Sequence, residues 1–332
     1  MKSAEHQSNE RQSHERFNQV SGSEEHDPSI TRVIPKEVVN TGSRSSHLAK
    51  RVVYRSARVV FDLSGLALSV LAKLAIEAPK QTIDTSEIPV EIAGLPAEFD
   101  GLRIAQLTDI HFGSFLAQDG MERLVNLTNS LHPDLILLTG DYVNRWVSET
   151  RLAIPMLAKL EAPLGVYAVL GNHDHYAGAK ETSDLLARHS IKLLDHDSEP
   201  VLSGNSRLWL LGSGDYIRDR KYDLNDRLAK VPVDEARIVL AHNPDSADLP
   251  REHRVDLMLC GHTHGGQIRT KSMGALILPV YNRNYDQGLF RVGDMQLFVS
   301  RGLGMVGLPF RLNCPPQLPI LRLLATSSSK LN

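Results

Sequence analysis

Cysteine is almost absent. Cys260 and Cys314 are the only 2 in 332 residues and lie far apart in the chain. Two thiols cannot build a disulfide framework or a cysteine-rich zinc site, and they leave the redox compartment open. Aromatic residues make up only 5%, so a base-stacking surface is not expected to be the main business of the protein. Neither sign of charge is in excess. Lys+Arg total 37 against Asp+Glu 39, a formal net charge of -2, and no nucleic acid is expected as a partner. No apolar stretch follows Met1, so no ordinary cleavable signal peptide is expected there. The most hydrophobic stretch, VVFDLSGLALSVLAKLAI, is interrupted by Asp62 and Lys73, which leaves it short of the roughly 18–20 uncharged residues that a membrane span needs. What is present, 42% hydrophobic and 23% charged residues, suits a soluble globular chain with a sizeable core. Histidine stands out at 14, and its placement decides the reading.

The chain divides into zones. Residues 1–50 are rich in Ser, Glu, Gln, Asn, Arg and His with few large apolar side chains, and read as a disordered polar tail. Residues 51–80 read as an amphipathic helix. At helical spacing Arg51, Arg55, Arg58, Asp62, Ser69 and Lys73 share one narrow arc with Gly65, and the rest is apolar apart from Ser64. Lys50, Arg51, Arg55 and Arg58 would suit anionic lipid head groups. Residues 51–76 are therefore read either as a membrane-surface anchor or as a helix packed on the catalytic domain or a second subunit. Residues 87–325 form the principal domain, and 326–332 a C-terminal tail.

Within that domain, short apolar runs keep ending in polar turns. They are RIAQLTDIH (103–111), LILLTGD (135–141), VYAVLGNHD (166–174), RIVLAHNP (237–244) and VDLMLCGHTH (255–264). Each opens as a buried strand, by length and branched-aliphatic content. Helical patterns such as MERLVNLTNSL (121–131) and TRLAIPMLAKL (150–160) lie between several of them, which predicts an α/β sheet with substantial parallel pairing. LFRVGDMQLFVS (289–300) reads as a hairpin turning at Gly293-Asp294, and QLPILRLL as a closing strand.

In open α/β sheets the functional crevice lies outside the carboxyl ends of the strands. The five turns would bring together Asp109, His111, Asp141, Asn172, His173, His242, His262 and His264. One such residue alone is most simply a turn or cap residue or a satisfied polar group. Five coincident blocks in register with five strands point instead to one site. Gly140, Gly171 and Gly261 stand directly before a donor or donor pair, where close backbone approach is needed. Oxygen donors (Asp109, Asp141, Asn172) and imidazoles (His111, His242, His262, His264) suit Mn²⁺, Fe or Zn²⁺, with Mn²⁺ the first choice, and are too nitrogen-rich for Ca²⁺ or Mg²⁺. These seven side chains exceed the need of one ion. Two ions roughly 3.5–4 Å apart would use them all and clamp an in-line displacement at phosphorus.

The ordered set D-x-H, G-D, G-N-H-D, a separate His and G-H-T-H resembles the calcineurin-like metallophosphoesterase superfamily. "LPAEFDGLRIAQLTDIHFG", "GHTHGGQI" and "VSRGLGMVGLPFRLNCPPQLPILRL" further resemble a bacterial branch of membrane-associated phosphoesterases, one that includes UDP-diacylglucosamine pyrophosphohydrolases. The resemblance implies a four-layer αββα sandwich. It implies that Asp109, His111 and His264 hold a first ion, that Asp141 bridges, and that Asn172, His242 and His262 hold a second. His173 matches the family's histidine at the departing group. One departure stands out: many relatives have an Asp three residues after the bridging Asp to orient that histidine, and here the place is Asn144, with Asp174 a candidate to compensate.

The implied reaction is hydrolysis of a phosphodiester or pyrophosphate by attack of a metal-bridging hydroxide, on a small molecule, a lipid-linked nucleotide or a phospholipid. His173 and Asp174 are the expected catalytic residues. His175, Tyr176, Arg301 and the turn Gly302-Leu303-Gly304 are expected to line the substrate cleft. Alternatives are a cyclic-nucleotide phosphodiesterase, a phosphomonoesterase or protein phosphatase, and a non-catalytic scaffold on the same fold. The branch implies a bacterial cell, with the protein peripheral to the cytoplasmic membrane or cytoplasmic.

Overall fold

The computed structural model describes residues 30–33 and 82–326, apart from 114, 219–223 and 250–252. The expected polar tail and amphipathic helix therefore lie outside the described residues, save for four tail residues that form a strand, and so does nearly all of the C-terminal tail. In chain order the strands are β1 (Ile30–Val33), β2 (Glu87–Ala93), β3 (Arg103–Leu107), β4 (Leu135–Thr139), β5 (Val166–Val169), β6 (Lys192–Leu193), β7 (Ser198–Ser203) and β8 (Ser206–Gly212). They continue as β9 (Ala236–Leu240), β10 (Leu257–Cys260), β11 (Arg269–Thr270), β12 (Gly274–Ala275), β13 (Gly288–Val292), β14 (Met295–Val299) and β15 (Ile320–Thr326). The helices are α1 (Gln118–Ser130), α2 (Val147–Leu157), α3 (Asn172–Arg188) and α4 (Leu224–Leu228).

Two sheets carry the domain. One has the order β2-β15-β3-β4-β5-β6 and the other β1-β13-β14-β10-β9-β8-β7. The strands that end in polar turns pair in parallel: β3 with β4, β4 with β5, and β9 with β10. Parallel pairing in register (Leu107 opposite Leu138, Leu138 opposite Ala168) brings the turns after β3, β4 and β5 out at one edge. β8 joins this pattern beside β9, with Gly212 opposite Leu240. The run LWLLG-SGD is thus a sixth strand with a polar end, one that the five-block reading did not include.

Alternate residues explain why two sheets must stack. Leu135, Leu137, Tyr167, Val169, Leu321 and Leu323 face Leu208, Leu210, Ile238, Leu240, Leu257 and Leu259, and all of them are buried in one cluster between the sheets. The intervening residues of the first sheet, Ala105, Leu107, Ile136, Leu138 and Ala168, meet Met121, Leu124, Ile154, Leu157 and Leu186 from the helices α1, α2 and α3. Strands covered on both faces need continuous apolar runs, which is the pattern the sequence has. The outer face of the second sheet, with Leu211, Val239, Met258, Phe290 and Leu297, is covered by Leu224 and Leu228 of α4 and by Ala247 and Tyr285. The αββα order therefore holds, with a fourth layer built from one short helix, the 3-10 helix Pro244–Asp248 and irregular chain.

The two predicted helices, α1 and α2, fall close to their expected spans, each beginning three residues earlier. The hairpin β13–β14 turns at Gly293-Asp294 as expected, with Val292 opposite Met295 and Gly293 at φ 57°. The closing strand β15 lies between β2 and β3, parallel to the first and antiparallel to the second. No helix among the described residues is long and apolar enough to cross a membrane.

Leu137 lies at 0% exposure between the sheets. Truncation to Ala is expected to cost about 2–5 kcal/mol, read as a lower urea midpoint at an unchanged slope. A midpoint equal to wild type would show that the inter-sheet layer is not the core of the fold.

Candidate metal centre

The expected donors come together. Asp109 and His111 follow β3, Asp141 follows β4, Asn172 and His173 open α3 after β5, His242 follows β9, and His262 and His264 follow β10. All are buried except His173, which is half-buried. Turning every donor inward demands unusual backbone. Asp109, His111, Asp141, His262 and His264 all adopt left-handed conformations, with φ between 48° and 66°. Asp and His tolerate that region better than most residues, but each instance still stores strain of order 1–3 kcal/mol, a cost typical of functional sites. Gly140 shows the crowding: at φ 90°, a Cβ there would lie 2.5 Å from the Gly171 nitrogen and 2.9 Å from His242 Nδ1.

The donor atoms form three overlapping groups: Asp109, His111 and His264; His111, Asp141 and His173; and Asp141, His242 and His262, each within 4.8 Å. His111 Nε2 lies 3.0 Å from His264 Nε2, which is 3.3 Å from Asp109 Oδ1. Asp141 Oδ2 lies 3.1 Å from His242 Nε2 and 3.7 Å from His111 Nε2. His262 Nδ1 is 3.2 Å from His242 Nε2. The outward nitrogens are tied to carbonyls, which can only accept. His242 Nδ1 donates to Thr139 O at 2.8 Å and His262 Nε2 to Pro279 O at 2.9 Å. These bonds set the tautomers so that His242 Nε2 and His262 Nδ1 face inward with free lone pairs when the rings are neutral.

Electrostatics divide the imidazoles. Burial, aided by His173, pushes His111 down to about 3, and burial with His242 does the same for His262. Both are thus neutral and ligand-competent. Burial also opposes a charge on His242, but Asp141, Asp109 and Asp215 outweigh it and push it up to about 10. Burial raises Asp109 to about 6, whereas His242 holds Asp141 well below the usual carboxylate range despite burial. Asn172 Oδ1 is buried with no hydrogen-bond partner. An orphaned amide oxygen and two neutral imidazole nitrogens face to face at 3.0 Å are poor arrangements for a metal-free protein. They are good ones for divalent cations held by N and O donors.

Asp174 is not placed to act on His173. Its carboxylate accepts from the backbone nitrogens of Asp141 at 2.7 Å, Gly171 at 2.9 Å and Tyr142 at 3.0 Å, which pins the second donor turn to the third. The partner of His173 is the backbone carbonyl of Asn144, which accepts from Nδ1. A main-chain atom of Asn144 thus takes the place of the side-chain contact that an Asp at this position would make, and the expected compensation by Asp174 is not seen. A cavity of ≈ 530 Å³ opens beside the donors. Of the expected cleft residues Tyr176 lines it, while His175 and Arg301 do not. Arg301 is paired with Asp84. The turn Gly302-Leu303-Gly304 instead buttresses the first donor turn, with Leu303 N bonding Thr108 O at 3.1 Å and Gly304 N bonding Asp109 O at 2.6 Å.

Sequence reasoning missed the cavity's apolar wall, which includes Ile217, Ile268, Ile277, Val280, Tyr281 and Leu308. It also missed Arg311, buried beside the donors with Nη2 3.3 Å from His264 Nδ1. No motif announces either. A separate hollow of ≈ 720 Å³ lies at the other end of the first sheet, among His132, Asp134, Ala158 and His189, and no donor lines it.

The model of the calcineurin-like phosphoesterase family matches residues 102–266, a span that contains every donor. The chain is 32% identical over 258 residues to the uncharacterized metallophosphoesterase YkuE of Bacillus subtilis, covering 74% of this chain and 87% of that one. It is 34% identical over 230 residues to the phosphodiesterase YaeI of Escherichia coli, covering 67% and 82%. The chain belongs to the calcineurin-like phosphoesterase family. A transmembrane protein with metallophosphoesterase domain from Danio rerio is 32% identical over 272 residues, which cover only 60% of that longer protein. This metallophosphoesterase is accordingly a metal-dependent phosphoester hydrolase, with its donor clusters where the family's chemistry requires divalent ions.

The pH dependence of the chelated protein tests the charge assignment. His242 is raised from 6.5 to about 10, so its contribution to stability is complete below 6.5 and is lost as pH rises through 10. Thermal melts of the chelated enzyme should show falling stability between pH 8 and 10, and His242→Gln should flatten that slope. Metal affinity should rise over the same window, because the ring must shed its proton to ligate. A slope that persists in the variant would assign the titration elsewhere.

Proposed function

We propose that this metallophosphoesterase hydrolyses a phosphodiester or pyrophosphate bond at a binuclear centre. Asp109, His111 and His264 would hold one ion, Asn172, His242 and His262 the other, and Asp141 would lie between them. The observation that carries this reading is the position of Asp141, which belongs to two of the three donor groups. A carboxylate with donor histidines on both sides is the arrangement a bridged pair of ions needs. The mixed N and O donors favour Mn²⁺, with Fe or Zn²⁺ as alternatives. When bound, such ions lower the pKa of water and neutralise charge on phosphoryl oxygens.

The protein's own groups supply the rest. His173, oriented by Asn144 O, offers a ring nitrogen within 4.8 Å of the donor atoms of His111 and Asp141 and serves the departing oxygen as a hydrogen-bond or proton donor once protonated. Asp174 keeps the Asp141 and Gly171 turns in contact, so its effect on turnover passes through donor geometry. The apolar wall of the cavity supports a substrate with a hydrophobic body, such as a phospholipid or a lipid-linked nucleotide. An anionic membrane surface bound through residues 51–76 remains part of this proposal, on the sequence pattern alone.

Two variants and one assay test the reading. Hydrolysis of bis(p-nitrophenyl) phosphate should vanish on chelation and return with Mn²⁺. His173→Ala should cut turnover at least about tenfold with metal content intact. Asp141→Asn should lose metal as well as activity. Undiminished turnover in the first variant, or full occupancy in the second, would remove the assigned role.

A further inference from the structure

The turn after β8 has no part in the donor set, yet it is built with care. Ser213 N bonds Leu240 O at 2.8 Å, which ties the start of the turn to the strand that delivers His242. Asp215 is fully buried, and its Oδ1 accepts from Ile217 N at 3.0 Å and Arg218 N at 2.7 Å. A side-chain carboxylate closing on nitrogens two and three residues ahead fixes a tight turn. Burying a carboxylate is unfavourable unless its bonds compensate, so the geometry of residues 215–218 is strongly specified. The turn delivers Ile217 to the cavity wall. It also lays the Arg218 guanidinium over the ring of Tyr176, with Cζ 4.2 Å from the centroid.

Tyr176 lines the same cavity and meets His173 edge-on, the ring centroids 5.4 Å apart. His173 in turn lies 4.6 Å, ring to ring, from His111. A permanent cation is therefore held one aromatic ring away from the group assigned to the departing oxygen. Arg123, Arg151, Arg207, Arg254, Arg269 and Arg301 each have a carboxylate partner. Among the described residues no carboxylate pairs with Arg218. Stacking occupies the face of a guanidinium and leaves its N–H edges free, and those edges match two phosphoryl oxygens.

We propose that Arg218, stacked on Tyr176, forms a subsite for a second phosphoryl group on the substrate, adjacent to the one that reacts. The subsite rests on the phosphoesterase reading and sharpens it. It makes the site selective for pyrophosphate-type substrates over diesters that carry a single phosphoryl charge. Tyr176 acts as the platform, and Asp215 is a positioning residue that works through the turn.

Calorimetry on the metal-loaded full chain separates the possibilities, with phenylphosphonate and phenyl methylenediphosphonate as probes. Wild type should bind the diphosphonate roughly tenfold or more tightly than the monophosphonate, the scale of a charge-assisted bidentate contact. Arg218→Ala should reduce that preference about tenfold. Arg218→Lys should restore only part of it, because an ammonium neither stacks nor forks in the same way. Raising the salt concentration should shrink the wild-type preference and leave that of Arg218→Ala little changed. The proposal is overturned if wild type shows no preference, if Arg218→Ala keeps it, or if that variant weakens both probes equally. Simple chelation by the diphosphonate would act alike on wild type and variant and falls under the second of these outcomes. Diester turnover by wild type, measured separately, tests the phosphoesterase reading, so the two failures are distinct.

Discussion

Two carboxylates, Asp109 and Asp141, are buried at the ends of adjacent parallel strands, at 0% and 2% exposure. Like charges in a water-poor crevice cannot both ionise without nearby positive charge. In the metal-free protein the proton on His242 supplies part of it, which is why that ring is held charged while its neighbours are held neutral. Divalent cations answer the same need more fully. The left-handed donors, the glycines packed against them and the carbonyls behind the imidazoles all serve to keep these two carboxylates and their partners aimed at a common point.

Neither sheet makes the site alone. The first contributes Asp109, His111, Asp141, Asn172 and His173, and the second His242, His262 and His264. The donor groups that pair Asp109 with His264 and Asp141 with His242 span the two. The site therefore exists only while the leucine-rich layer between the sheets holds their carboxyl ends level. Hydrogen bonds between main chain and side chain strengthen the seam, with His262 N donating to both carboxylate oxygens of Asp109 at 3.0–3.1 Å and Gln106 Nε2 donating to Cys260 O at 3.0 Å. Core packing and catalytic geometry are thus one mechanical problem, and a loosened inter-sheet core would show up first as weaker metal retention.

Much of this was legible in the sequence, because a strand buried on both faces and ending in a polar turn leaves a sharp pattern. Five such patterns brought together all the donors and the parallel strands that carry them. The sixth, LWLLG-SGD, does not stand out in the sequence because its turn carries only one donor-type side chain, Asp215, and that side chain closes its own loop. Arg301 was misjudged for a related reason. A cation beside a glycine-rich turn looks like an anion site until the fold supplies Asp84, 217 positions away. Asn144 misled differently: a side-chain pattern says nothing about a main-chain carbonyl doing the same work. The apolar cavity wall comes from residues scattered from Ile217 to Leu308 that share a surface only after folding.

The carbonyl behind His173 has a chemical consequence. It orients the ring as well as a carboxylate would, but it brings no full negative charge to stabilise an imidazolium. With Nδ1 committed to Asn144 O, the neutral ring has no proton on Nε2 to give. His173 can therefore donate to a departing oxygen only as the imidazolium, and the site suits groups that depart without needing a proton better than strongly basic alkoxides. Phosphate and aryl oxide anions belong to the first kind. The cation stacked on Tyr176 would stabilise the same departing charge, so the carbonyl-backed histidine and the stacked arginine favour the same substrates. On that argument the departure at residue 144 and the turn at residues 215–218 are two halves of one specificity, and a diester with an unactivated alkoxide should be the poorest substrate of the set.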